Sequence, residues 1–180
     1  MPIFYKDMHE LSFFKATKAE AEQIATFVNA AYRGEFSRHG WTTEADLLDG
    51  FRTDTEQILS LFEDSNALFL LCRVDTELQG SVYLQKEDDS VHIGMLAVNP
   101  LQQNRGIGKA LLYAAELTAQ QTWAANRLLM SVIPCRHELI AYYQRRGYKR
   151  TGIIKEFPVN PALWTPKVAD LSLEILEKVL

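Results

Sequence analysis

The chain predicts an α+β fold, a central mixed sheet of about seven strands flanked by about four helices. Three observations carry this prediction. Ala67 to Val74, Leu78 to Gln85 and Val91 to Val98 are strand-length apolar runs. Only the short charged turns Asp75-Thr76-Glu77 and Glu87-Asp88-Asp89-Ser90 separate them, the pattern of an antiparallel meander. From Ile107 onward, Ala110, Leu111, Ala114 and Thr118 recur at helical spacing. Leu128 to Ile133 is then another apolar run, and strand, helix, strand at this length implies a parallel crossover.

The remaining elements follow in chain order. Leu11 to Ala16 is short, aromatic and strand-like. Thr17-Lys18-Ala19-Glu20 has the capping-box pattern, and Ile24, Phe27, Val28 and Ala31 mark the buried face of a first helix ending near Tyr32. Gly34 to Gly40 reads as a polar loop carrying Glu35, Arg38 and His39. A threonine of Trp41-Thr42-Thr43-Glu44 caps a short helix running to Leu48 and broken at Gly50. Thr53-Asp54-Thr55-Glu56 is a second capping box and opens a helix through Phe62. After the crossover strand, which Pro134 ends, Leu139, Ile140 and Tyr143 stripe a short helix with Gly147 at its C-cap. Tyr148 to Glu156 is strand-like, Phe157 to Pro166 is a loop with three prolines, and Asp170 to Ile175 alternates as a last half-buried strand.

With 180 residues, 47% of them hydrophobic and 23% charged, residues 1–180 fit one globular domain. A net charge of −4 gives no footprint for nucleic acid or an anionic membrane, and no apolar run is long enough to span a bilayer. Cys72 and Cys135 both lie in apolar, strand-like surroundings with no signal peptide before them, so they read as buried free thiols in a reducing cytoplasm. His9, His39, His92 and His137 are scattered without metal-ligand spacing, which predicts no metal. Exposed edge strands leave room for a homodimer.

The stretch that organises the chain is Leu96 to Lys109. The strand stops at Asn99-Pro100, and a polar loop ending in Gly106 and Gly108 leads into the helix. Such a turn aims free backbone N–H groups and the helix dipole at one point, a cradle for a phosphate or pyrophosphate. The Walker pattern fails on spacing and on its missing hydroxyl. The Rossmann pattern fails because Leu111 stands at its third small position and no ribose-binding acid follows. Gln103-x-x-Gly106-x-Gly108, preceded by Leu96-x-Val98-x-Pro100, resembles motif A of the GNAT N-acetyltransferase superfamily. The element order matches that superfamily along nearly the whole chain, tightly from Val91 to Gly152 and only topologically before it.

The resemblance implies acetyl-CoA as cofactor. Its pyrophosphate would sit on the backbone of Gln103, Asn104, Arg105, Gly106, Ile107, Gly108 and Lys109, and its pantetheine arm along Leu96 and Val98. Arg105 and Lys109 either add charge at the phosphates or are solvated cations. An oxyanion donor would be a backbone N–H near Leu96. Arg136 to Tyr148 resembles the family segment N-x-x-A-x-x-x-Y-x-x-x-G-F, placing Tyr143 as the proton donor to the leaving thiolate; a packing role is its alternative. Tyr142 points elsewhere on the helix, into the core. Arg136 replaces the family asparagine and reaches either the cofactor or an acidic acceptor. His92, Glu35 and Glu44 are the candidate general bases, and Trp41 and Tyr32 either wall an acceptor pocket or belong to the core. The implied reaction is acetyl transfer to a primary amine of a small molecule or amino acid. Its rivals are a protein lysine or N-terminal acetyltransferase and a non-catalytic acyl-CoA-binding module.

Overall fold

The computed structural model describes residues 10–180 and the backbone strand Ile3–Phe4. In chain order the strands are β1 (Ile3–Phe4), β2 (Glu10–Lys15), β3 (Leu48–Gly50), β4 (Ala67–Val74), β5 (Glu77–Glu87), β6 (Ser90–Val98), β7 (Arg127–Val132), β8 (Lys149–Glu156), β9 (Trp164–Pro166) and β10 (Ser172–Val179). The helices are α1 (Ala21–Tyr32), α2 (Gly34–Ser37), α3 (Thr55–Leu61), α4 (Ile107–Trp123) and α5 (His137–Gln144). The main sheet has the order β1-β2-β4-β5-β6-β7-β10-β8, while β3 and β9 form a separate two-stranded ladder. Among the described residues only β6 and β7 pair in parallel, across the α4 crossover. The seven predicted strands are all in the main sheet, with β1 added at its edge.

Each face of the sheet carries its own core. Strand β4 shows why: Phe69 and Leu71 pack with Ile24 and Val28 of α1 and Ile58 of α3, while Leu70 and Cys72 pack with Leu111 of α4 and Tyr143 of α5. Alternate side chains of a strand leave on opposite faces, so a continuous apolar run needs helices on both. The Thr17 box forms as predicted, the Glu20 carboxylate accepting from the Thr17 N–H at 2.6 Å.

Several boundaries differ from the sequence expectation. No helix runs from Thr43 to Leu48. Thr43 Oγ1 accepts from the Ala45 N–H and Leu48 closes one turn on the Glu44 carbonyl, but the chain then straightens into β3. The short helix is α2 instead, inside the predicted loop Gly34 to Gly40. The N-cap of α3 is Asp54, accepting from the Gln57 N–H at 2.8 Å, one residue beyond Thr53. On α4 the buried stripe passes through Ala115 and Ala119 rather than Ala114 and Thr118. The segment Phe157 to Pro166 is not all loop, because Trp164–Pro166 pairs with Leu48–Gly50. The last strand begins at Ser172 and runs on to Val179, held by β7 on one side and β8 on the other. Cys72 is buried as expected, but Cys135 is exposed on the turn after Pro134. The β3–β9 ladder and the length of the last strand depend on distant partners, which local patterns do not encode.

Candidate active site

The site starts from a fault in the sheet. Strands β6 and β7 are in register from Ser90–Arg127 to Ile93–Met130, and no pairing continues beyond. On the other side of β6, one extra residue lies between the Tyr83–Gly94 and Ser81–Ala97 pairs, with Met95 at a φ of 46°. A bulge of this kind bends its strand and takes backbone groups out of the ladder. The Leu96 carbonyl freed there accepts a hydrogen bond from the Tyr32 hydroxyl at the end of α1. A cavity of about 670 Å³ opens between this strand, the Asn99 to Gly106 loop and α5. A second cavity of about 160 Å³ lies beyond it, lined by His92, Arg52, Glu44 and Ser131. Tyr32, Leu96, Arg136, Leu139 and Tyr143 line both, so the two meet at that point.

The loop is shaped for close approach of an anion. Asn99 Oδ1 accepts from the Leu101 N–H at 3.1 Å and starts a tight turn over Pro100–Gln102. Gly106 then caps α4 at a φ of 86°, where a side chain is strained. The first helical bond runs from the Ala110 N–H to the Gly106 carbonyl, leaving the N–H groups of Ile107, Gly108 and Lys109 without intrahelical acceptors. A Cβ on Gly108 would stand 3.1 Å from the Tyr142 hydroxyl and fill the groove. The cradle therefore fits a pyrophosphate. Of the residues that the sequence assigns to the cofactor, Leu96, Val98, Gln103, Asn104, Gly106, Gly108 and Lys109 line the large cavity. Arg105 and Ile107 contribute no lining side chain: Arg105 is exposed and Ile107 is buried in the core.

Gln103 has a structural task as well. Its Oε1 accepts from the Trp41 N–H at 2.8 Å, and its Nε2 donates to Thr42 Oγ1 at 2.8 Å and to the Val98 carbonyl at 3.3 Å. This clamp holds the Trp41–Thr42 segment against the loop. Gly40 permits it, since a Cβ there would lie 2.6 Å from Gln103 Oε1. Trp41 consequently walls the larger cavity and not the second one. It faces Tyr142 with ring centres 5.5 Å apart, and the Arg146 guanidinium lies 3.4 Å above the Tyr142 ring. Tyr142 is thus half-buried in the groove wall rather than wholly within the core.

Tyr143 is buried at the junction, where its side chain both packs in the core and faces the cavities. Burial pushes its phenol well above the ordinary range; Tyr32 and Tyr142 push the same way, while Arg136 and Arg146 oppose. Tyr32 is pushed up to about 12, chiefly by burial and then by the Glu44 charge. Beside them stands a buried charge triad. Glu44 Oε1 accepts from Arg136 Nη1 at 3.1 Å, and Glu44 Oε2 accepts from Arg33 Nε at 3.2 Å. Arg136 Nη2 also donates to the Thr42 carbonyl. Arg136 therefore ties α5 to the 42–44 segment at the meeting point of the cavities.

Of the candidate bases, His92 and Glu44 line the second cavity, but Glu44 is held by two guanidinium groups. Burial lowers the His92 pKa, which keeps the imidazole neutral near pH 7. Glu35 is exposed, paired with Arg38 at 3.1 Å, and lines neither cavity. Arg33, Arg52 and Ser131 were not singled out by the sequence; the one hint was an arginine closing an amphipathic helix just before Gly34. Among the described residues no three His, Cys, Asp or Glu side chains converge to hold a metal ion. His9 lies outside the described residues.

Residues 21–148 match the model of the Acetyltransferase (GNAT) family. No curated protein sequence matches the chain. Solved structures resemble it at low identity. A putative acetyltransferase from Salmonella typhimurium, solved with its cofactor acetyl-CoA, is 17% identical with a TM-score of 0.66, over 94% of each chain. The ribosomal-protein-S18-alanine N-acetyltransferase from Escherichia coli is 14% identical with a TM-score of 0.66, over 94% of this chain and 93% of that one. The IAA acetyltransferase from Bacillus cereus ATCC 14579 is 16% identical with a TM-score of 0.63, over 94% and 99%. These likenesses concern the fold, and the family model covers the site loop and the Tyr143 helix alike: the chain belongs to the GNAT family of acetyltransferases.

Proposed function

We infer that the chain transfers an acetyl group from acetyl-CoA to the primary amine of a small molecule or amino acid, by direct attack of the amine on the thioester. The observation that carries this reading is the meeting of two cavities, one ending in the glycine cradle and one lined by polar groups, at Leu96 and Tyr143. When bound, acetyl-CoA supplies an activated acyl carbon and a thiolate leaving group. The N–H groups of residues 107–109 would hold its pyrophosphate, and Trp41 and Tyr142 would flank it. The bulged backbone near Leu96 would polarise the carbonyl.

Two protons must move. The Tyr143 phenol, kept neutral by burial, is the donor to the departing sulfur. Burial penalises phenolate and thiolate alike, and Arg136 and Arg146 favour the phenolate, so the transfer stays accessible. The amine loses its proton on the far side, where Arg33, Arg52 and Arg136 outnumber Glu44. Positive surroundings lower the pKa of an ammonium, and neutral His92 is the acceptor along that wall. In the product the new N–C bond replaces the C–S bond.

The small volume of the second cavity favours a small acceptor over a protein surface. We read residues 1–180 as one catalytic domain. Free thiols at Cys72 and Cys135 fit a cytoplasmic setting, and the exposed edge of β8 is where a second copy would pair. The test is thiol release from acetyl-CoA with a panel of small amines. Release above the hydrolysis rate for at least one amine, lost together with coenzyme A affinity in folded Gly106→Glu, is the expected result. Unchanged affinity in that variant would refute the reading.

A further inference from the structure

The second cavity is more positive than acetyl transfer requires. Its charged lining is Arg33, Arg52, Arg136 and Glu44. Glu44 is consumed by two of these, pairing with Arg33 and with Arg136. Arg52 stands apart: among the described residues its guanidinium makes no hydrogen bond or ion pair. It lies close enough to act on the Tyr32 hydroxyl and on Arg33.

Its place is fixed by the backbone. Asn29 on α1 accepts from the Arg52 N–H at 2.7 Å and from the Thr53 N–H at 3.2 Å, and donates to the Thr53 carbonyl at 2.9 Å. Arg33 Nη1 adds a bond to the Phe51 carbonyl at 3.4 Å. Four bonds thus hold this loop over the cavity, while the one cation on it that faces the cavity is left to a ligand. A guanidinium prepared in this way matches a carboxylate, which accepts two parallel N–H bonds.

We propose that the acceptor is a small amine bearing a carboxylate, as a free amino acid does, and that Arg52 holds the carboxylate in the second cavity while the amine faces Leu96 and Tyr143. This rests on the acetyl-transfer reading, and it narrows the acceptor class. The apolar wall of Ile93, Met130 and Leu173 then meets the rest of the acceptor. Neutral amines lack the group that answers Arg52. An amine carrying a second positive charge is repelled.

Calorimetry with the products separates this from catalysis. Wild-type protein with coenzyme A is titrated with a panel of N-acetyl-L-amino acids and with the matching N-acetyl-L-amino acid amides, which differ only in charge. The expected result is about tenfold or more tighter binding of at least one acid over its amide. That preference should collapse in Arg52→Ala and return in part in Arg52→Lys. Asn29 holds the Arg52 backbone, so loss of the side chain leaves the loop anchored; Arg52→Gln gives the same readout should Arg52→Ala not fold. Equal binding of every acid and amide overturns the proposal, as does a preference that survives in the variants, or selective binding of phosphoethanolamine over every acid. Failure of the acetyl-transfer reading looks different: no amine releases thiol, while the carboxylate preference and its dependence on Arg52 remain.

Discussion

Glu44 pairs with two buried arginines, and Glu44→Leu tests whether the triad holds the site together. The Arg33, Glu44 and Arg136 side chains are 4%, 10% and 12% exposed, so the pairing is nearly free of solvent screening. Removing the carboxylate leaves two guanidinium groups buried without a counter-charge. A broken buried pair costs about 3–5 kcal/mol. Each arginine keeps one carbonyl acceptor, Phe51 for Arg33 and Thr42 for Arg136, which offsets part of that cost and argues for the lower end, about 3 kcal/mol. With a urea slope of about 2 kcal/mol per molar, the unfolding midpoint should fall by about 1.5 M. The triple variant Arg33→Met, Glu44→Leu, Arg136→Met removes all three charges and should recover much of the loss, because replacing a whole buried network with apolar groups is close to neutral. Urea titration followed by fluorescence of the three tryptophans reads both numbers. A Glu44→Leu cost below about 1 kcal/mol, or a triple variant less stable than the single one, would refute the view that the arginines depend on Glu44.

Two further outcomes follow from the site. Tyr143→Phe keeps the ring in its packing role and removes only the hydroxyl, so kcat should fall by about tenfold or more while coenzyme A affinity is unchanged; an unchanged kcat would leave the residue with packing alone. His92 has a pKa lowered first by burial, with Lys155 acting the same way and Glu87 against it. Below its unfolded pKa the unfolded chain binds a proton that the folded chain resists, so His92 subtracts stability as pH falls through the mid-6 range toward the lowered folded value. The drop in urea midpoint between neutral pH and mild acid should therefore be smaller in His92→Gln than in the wild type. Equal drops would mean that His92 is solvated.

The legible parts of this site are those whose causes lie within a few residues. Gly106 could be read because a tight turn into a helix demands a left-handed backbone, which it takes at a φ of 86°; Gly108 is instead ordinary helix, and its missing side chain leaves room beside the Tyr142 hydroxyl. Tyr143 could be placed on a buried helix face by its spacing from Leu139 and Ile140, and all three are buried. The stretch from Gly34 to Gly50 departs from its local pattern because its conformation answers to remote partners. Glu44 closes one helical turn, but its carboxylate meets Arg136, 92 positions away. Beyond it, β3 owes its extended form to β9. The motif points Gln103 at the cofactor, yet its amide also binds Trp41 and Thr42, a contact permitted by a glycine far back in the chain.

By itself the sequence determined the order of the seven central strands, the long helices, the glycine turn into α4 and the family, because periodicity, capping and glycine turns act over short range and leave short-range marks. Only the tertiary structure decided where β6 leaves β7, that Arg33 and Arg136 share Glu44, and that Arg52 is left over. Buried charges choose partners by proximity in space, and which distant segments come within a few ångströms is fixed only when the helices close over both faces of the sheet.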